Sequence, residues 1–123
     1  MSKGILTEYN DLCFICERPA EAQHHLVFGT SGRGLSEEDG LKVPVCNRCH
    51  NMGELIMRIH GNPAAEKMSR IIGQLAWEKE YALQKADDFA RIIDENKKPG
   101  EVKKIVSKGS REAFRRRYGH SYL

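Results

Sequence analysis

Eight side chains that bind transition metals well, four cysteines and four histidines, fall between residues 13 and 60 of a 123-residue chain. The cysteines form two C-x-x-C pairs, Cys13 and Cys16 in CFIC and Cys46 and Cys49 in CNRC, with 29 residues between them. Structural zinc takes four tetrahedral ligands, often four thiolates delivered as two such pairs. A redox-active C-x-x-C wants a βαβ setting, which this stretch does not supply. The spacing therefore predicts one structural zinc on Cys13, Cys16, Cys46 and Cys49, stapling a region too small to bury a core of its own. Such pairs hold metal more often than they form disulfides in a reducing compartment. The start, MSKGILTEYNDLC, has no apolar signal core, so a cytoplasmic protein is expected.

His24 and His25 stand side by side in AQHHLVFG, and His50 directly follows Cys49. Neighbours on a strand point to opposite faces. If the cysteine pairs clamp that strand against the segment after Cys49, His50 and one of the pair can face each other. The remaining histidine then points elsewhere. Metal ligand and general base is one division of such a pair; a packed histidine without chemistry is the plainer one.

The elements that must hold these residues are short at first. HHLVFG and LKVPVC read as strands, bounded by the turn-rich GTSGRG and EEDG, with Pro44 suited to an edge. Helix is expected to begin near Asn47–His50. From Asn62 the period changes, with Asn62 as N-cap and Pro63 at the first helical position. Met68, Ile71, Ile72, Leu75, Ala76, Leu83, Ala86, Phe89, Ala90 and Ile93 then recur at helical spacing, with Gly73 as the place for a bend or break. KKPGE ends that helix or links onward. SREAFRRRYG reads as a last short helix, capped by Ser110 and stopped by Gly119. The apolar stripe of the central helix has two candidate covers, the C-terminal helix or a second copy of the chain. No apolar run approaches the roughly 18 residues of a membrane span.

Net charge is +3, but unevenly spread. From Lys97 onward there are nine basic and two acidic residues; the remaining 96 hold eleven basic and fifteen acidic. A basic tail on a slightly acidic body suits a polyanionic partner, or merely solubilises. Arg115, Arg116 and Arg117 point in three directions on a helix, so one or two can face a single partner, through sequence-independent phosphate contacts. Arg33, in the SGRG loop near the histidines, is a further candidate phosphate ligand. Phe114, Tyr118 and Tyr122 are expected to pack the tail onto the body.

In combination, CFIC, AQHHLVFG and VPVCNRCH resemble the HNH nuclease superfamily with its ββα-metal fold, and most closely its zinc-stapled phage and prophage members. REAFRRRYGHSYL resembles the ending of that group; the central helix lies outside the resemblance. The resemblance implies that His24 and His50 bind a catalytic divalent metal (Mg2+, Mn2+, Ni2+ or Zn2+) and that His25 is the general base. It also implies DNA as substrate, and recombination or packaging proteins as further partners of a phage or prophage protein in a bacterial host. A third metal ligand stays open between Glu54, one helical turn beyond His50, His60, near where the group often carries a histidine, and water. The family's asparagine, about nine residues before the helix histidine, falls here near Gly40 and Leu41. Asp39 is the nearest polar substitute for orienting His25, and a backbone carbonyl is the alternative.

The expected architecture is α+β. A zinc-stabilised treble-clef or ββα-metal module, residues 1–61, is followed by a long amphipathic helix and a short C-terminal helix, residues 62–123, packed on it. The expected activity is metal-dependent hydrolysis of DNA phosphodiester bonds. A non-catalytic zinc module that binds DNA and a zinc-stapled protein-interaction adaptor are the alternatives.

Overall fold

The computed structural model describes residues 3–93 and 97–123. It is α+β, with one small sheet and several helices. β1 (Ala22–His25) and β2 (Lys42–Val45) pair antiparallel, Ala22 opposite Val45 and His25 opposite Lys42. The first strand is thus AQHH rather than HHLVFG, and the histidine pair sits at its end. Beyond it only the Leu26 amide still reaches across, to the Leu41 carbonyl at 2.8 Å. Pro44 is tolerated because a sheet of two strands has no central strand.

The stretch expected as a flexible loop around Arg33 is helical: α1 spans Gly32–Asp39. Its glycines hide it from propensity, yet Gly32 is needed, because a Cβ there would lie 2.9 Å from the Val27 carbonyl oxygen. Buried Ser36 pins the helix to the chain leaving β1. Its hydroxyl donates to the Val27 carbonyl at 2.7 Å and accepts from the Val27 amide at 3.2 Å. Gly40, with φ of 73°, then ends the helix in the left-handed conformation.

After β2 the expected helix shrinks to one wide π-type turn, Arg48–Met52. The chain then folds back on that turn, with the Ile59 and His60 amides donating to the Cys49 and His50 carbonyls at 2.8 and 3.0 Å. Glu54 therefore does not stand one helical turn above His50; it lies exposed in the returning loop.

α2 spans Pro63–Gln84, and Asn62 caps it as expected, its side chain accepting from the Ala65 amide. The helix runs through Gly73 and breaks at Lys85, with α3 covering Ala86–Ile92. Gly73 serves packing instead: a Cβ there would lie 3.0 Å from that of Leu26. Residues 94–96, the expected end of this helix, lie outside the described residues. Of the expected apolar stripe, Ile72 and Ala76 pack on the core, joined by Trp77, whereas Met68, Leu75 and Leu83 remain exposed.

α4 spans Pro99–Tyr118, so the C-terminal helix is not short. Proline at its first position supplies the start that the sequence reading placed at Ser110. Ser110 is a buried mid-helix residue, not a cap. Gly119 ends the helix with φ of 78°, as expected.

The core joins both halves of the chain: Leu26, Val27, Leu41, Val43, Val45 and Ile59 share one buried cluster with Phe114 from α4. Phe114 stacks on Tyr118 at 4.4 Å and meets Trp77 edge-on at 5.5 Å. Asp39 locks this seam, accepting from Trp77 Nε1 at 3.0 Å, the Tyr118 hydroxyl at 2.7 Å and Arg117 Nε at 2.7 Å. Gln74, fully buried, takes the Tyr122 amide at 2.6 Å and donates to Ser121. Among the described residues no helix is long and apolar enough to cross a membrane.

Removing a fully buried aromatic ring from such a seam leaves a cavity as well as losing transfer energy. Phe114→Ala is expected to lower unfolding stability by about 3–5 kcal/mol, read from urea denaturation.

Candidate functional site

The two cysteine pairs meet. One sulfur from each of Cys13, Cys16, Cys46 and Cys49 lies within 4.8 Å of every other, and Cys16 and Cys46 are 3.6 Å apart. Bonds of about 2.3 Å to a tetrahedral zinc imply sulfur–sulfur edges of about 3.8 Å, so the cluster can hold an ion such as zinc. The local backbone prepares it. The Cys13 amide donates to the Arg18 carbonyl at 2.6 Å, the Glu17 amide to the Cys13 carbonyl, and the Cys49 amide to Cys46 Sγ at 3.4 Å. Burial works to raise the Cys13 thiol, but backbone donors at Cys16, Cys46 and Ile15 bring it down to about 6. Burial, then its sulfur neighbours, push Cys49 the other way, well above the usual thiol range.

A second cluster lies one residue away along the chain. His24, His50 and His60 each bring a ring nitrogen within 4.8 Å of the other two. His60, one of the three options in the sequence, is the third member; Glu54 is not. The fold-back of the chain on its π-type turn places it there, with His50 and His60 Nε2 atoms 3.1 Å apart. Three imidazoles are a nitrogen donor set that suits zinc, copper, iron or nickel better than a hard cation such as magnesium.

His24 shows how its ring is aimed. It is buried, and its Nε2 lies 2.8 Å from Ser69 Oγ on α2. That hydroxyl donates its one proton to the Leu26 carbonyl at 2.7 Å, so it accepts from His24 and fixes the proton on Nε2. Nδ1 is left as a bare lone pair, buried and without a hydrogen-bond partner among the described residues. Such a buried lone pair, on a ring set edge-on against two other imidazoles at 5.2 and 5.0 Å, fits a metal ligand whose far nitrogen is held by an outer partner. Burial, then repulsion from His60, His50 and His25, hold its pKa down at about 3, so the ring is neutral as a ligand must be. Glu66 Oε2 stands 3.8 Å from His60 Nδ1 and accepts from the Gly61 amide at 3.2 Å. Phe28 closes one side of the cluster, 4.8 Å from His60 and 5.6 Å from His24, and the Arg70 guanidinium lies over its ring at 4.0 Å.

Strand alternation separates His24 and His25 by burial but not by destination. His25 is half-buried, and it lines a cavity of about 280 Å³ together with His24, His50 and His60. It also lines the adjoining groove of about 600 Å³, with Arg33 and Glu37. Its Nε2 lies 3.6 Å from Glu37 Oε2, which also receives Lys42 Nζ at 2.6 Å. Burial lowers the His25 pKa, partly opposed by Glu37. Glu37, not Asp39, is therefore the group beside His25. Asp39 is turned to Trp77, Tyr118 and Arg117 instead. The sequence carries a signal for it: Arg33 and Glu37 are four apart, on one face of α1. The glycines at 32 and 34 obscured that helix.

Arg33 is exposed at the mouth of both cavities. Arg115 and Arg116 are exposed on α4, as a phosphate role requires. Arg117 is not free for one: its guanidinium donates to Asp39 at 2.7 Å and to Glu38 at 2.9 Å. His120 is exposed, its ring against Tyr122.

No family model, curated protein or solved structure matches this chain. What the two clusters do is therefore argued from their own chemistry.

Protein loaded with zinc is expected to carry two equivalents per chain by elemental analysis. His60→Ala should keep one equivalent and the native near-ultraviolet spectrum. Cys46→Ser should lose the cysteine-bound equivalent and, with it, cooperative unfolding.

Proposed function

We propose that this protein is a metal-dependent DNA endonuclease of the HNH type, with His25 as general base. One observation carries the reading: His25 alone of the four clustered histidines is shared between the metal-ligand cavity and the groove lined by Arg33 and Glu37. A phosphodiester laid in that groove reaches both. His24, His50 and His60 would hold the divalent ion, which supplies Lewis acidity toward a phosphate oxygen and the developing charge on the leaving oxygen. The chain's own groups supply the rest. His25, neutral at pH 7 because burial lowers its pKa, takes a proton from the water whose oxygen attacks phosphorus, as the bond to the 3′ oxygen breaks. Glu37 keeps the imidazole aimed, the task the family gives to its asparagine, and its charge also stabilises the imidazolium that results. Arg33 holds a neighbouring phosphate.

The finer fold assignment belongs to the same reading. β1, β2 and the turn after Cys49 take the ββα-metal role, and the two cysteine pairs that of a treble-clef zinc staple. A phage or prophage protein acting in a bacterial cytoplasm is the corresponding setting.

Plasmid cleavage with Mg2+, Mn2+, Ni2+ and Zn2+ tests the reading. His25→Ala should lose about a hundred- to ten-thousandfold in rate while DNA binding is kept; equal rates for variant and wild type would sink the enzyme. Binding without any cleavage would leave a zinc module that binds DNA. Below the His25 pKa the base is protonated, so the rate falls on the acid side and is flat at neutral pH. Glu37→Gln removes an influence that raises that pKa, so the acid limb should move to lower pH while kcat falls.

A further inference from the structure

The sequence predicts a short last helix, from Ser110, that carries Arg115, Arg116 and Arg117 within a longer basic tail. The 20-residue length of α4 changes which cations share a face. Successive residues of a helix turn by about 100°. Lys104, Lys108, Arg111 and Arg115 are spaced four, three and four apart, so all four project within an arc of about 60°. They span about 16 Å of helix. Arg117 is committed to Asp39 and Glu38, and Arg116 lies well round from this line.

Lys104, Lys108 and Arg115 are exposed, and among the described residues none has an acidic partner. Arg111 is the half-buried member, its Nε 4.0 Å from Glu78 Oε2 on α2. Glu101 and Glu112 border one side of the line, which makes it a narrow rail rather than a diffuse patch.

We propose that this stripe of α4 is a binding rail for the sugar–phosphate backbone of a nucleic acid. A single strand of duplex DNA presents a charge about every 3.4 Å along its axis, so a 16 Å line runs beside about five phosphates. An anionic membrane surface would also attract the charge, but a helix that lies in a membrane interface needs a free apolar face. The apolar face of α4 is spent on the fold: Ala113 and Phe114 are buried, and Val102, Ile105 and Val106 are half-buried. The proposal rests on nucleic acid being the partner of the proposed site, and not on cleavage taking place.

The test uses full-length, zinc-loaded protein carrying His25→Ala, so that the DNA stays intact. Binding to a fluorescent 20-base-pair duplex is followed by anisotropy across a salt series. Neutralising Lys104, Lys108 and Arg115 together to Gln should weaken binding at every sequence tried. It should lower the slope of log affinity against log salt by about 2.7, at about 0.9 per phosphate contact. Lys104→Arg, Lys108→Arg and Arg115→Lys together should restore both. A control of equal charge, Lys67→Gln, Lys79→Gln and Lys103→Gln, should lose much less. An unchanged slope, an equal loss in the control, binding of phosphatidylserine vesicles in place of the duplex, or no binding by the parent protein each overturns the rail. Cleavage by the chain with His25 restored is scored separately. Its absence with a falling slope sinks the nuclease and keeps the rail.

Discussion

Four sulfurs within 4.8 Å of one another are the constraint to which the rest of this fold answers. Two of them stand before β1 and two after β2, so gathering them fixes where the strand pair begins and ends. Thiols make poor hydrogen bonds, and thiolates at this distance repel; a cation such as zinc would reconcile them. A sheet of two four-residue strands is marginal in water. Here it is held from one end by the cysteines and from the other by α1, through the two hydrogen bonds of Ser36 to Val27. The histidine pair sits between those two holds.

The helical half completes the site rather than merely following it. Ser69 on α2 sets the protonated nitrogen of His24, and Glu66 on the same helix faces His60. α4 in turn holds α2 and α1 through Phe114 and the Asp39 hub. A helix that the family resemblance did not cover thus sets a side chain beside two of the three clustered histidines.

What could be read from the sequence was the chemistry with a fixed spacing. The cysteine pairs, the Asn62 cap with Pro63, and the Gly119 stop are local signals, and each is where it was expected. The misses are tertiary. α1 carries Gly32 and Gly34, which argue against helix, yet Gly32 is there because the chain passes close to Val27. Pro99 gave a start for α4 that KKPGE disguised as a linker. His60 was ambiguous because no periodicity describes a loop that doubles back on its own turn. Asp39 had the right type and roughly the right position beside His25, but Trp77, Tyr118 and Arg117 compete for it. Glu37 was passed over because its pairing with His25 depends on α1 being a helix.

Cys49 and His50 are consecutive residues of one turn, yet they belong to different clusters. An ion at the sulfurs that orders this turn also restricts where the His50 ring can go. Ion binding at the histidines therefore starts from a smaller ensemble. Linkage makes the traffic symmetrical: the factor by which the first ion tightens the second is the factor by which the second tightens the first. Were both clusters to hold ions, occupancy of one would be felt at the other through the single peptide bond between Cys49 and His50.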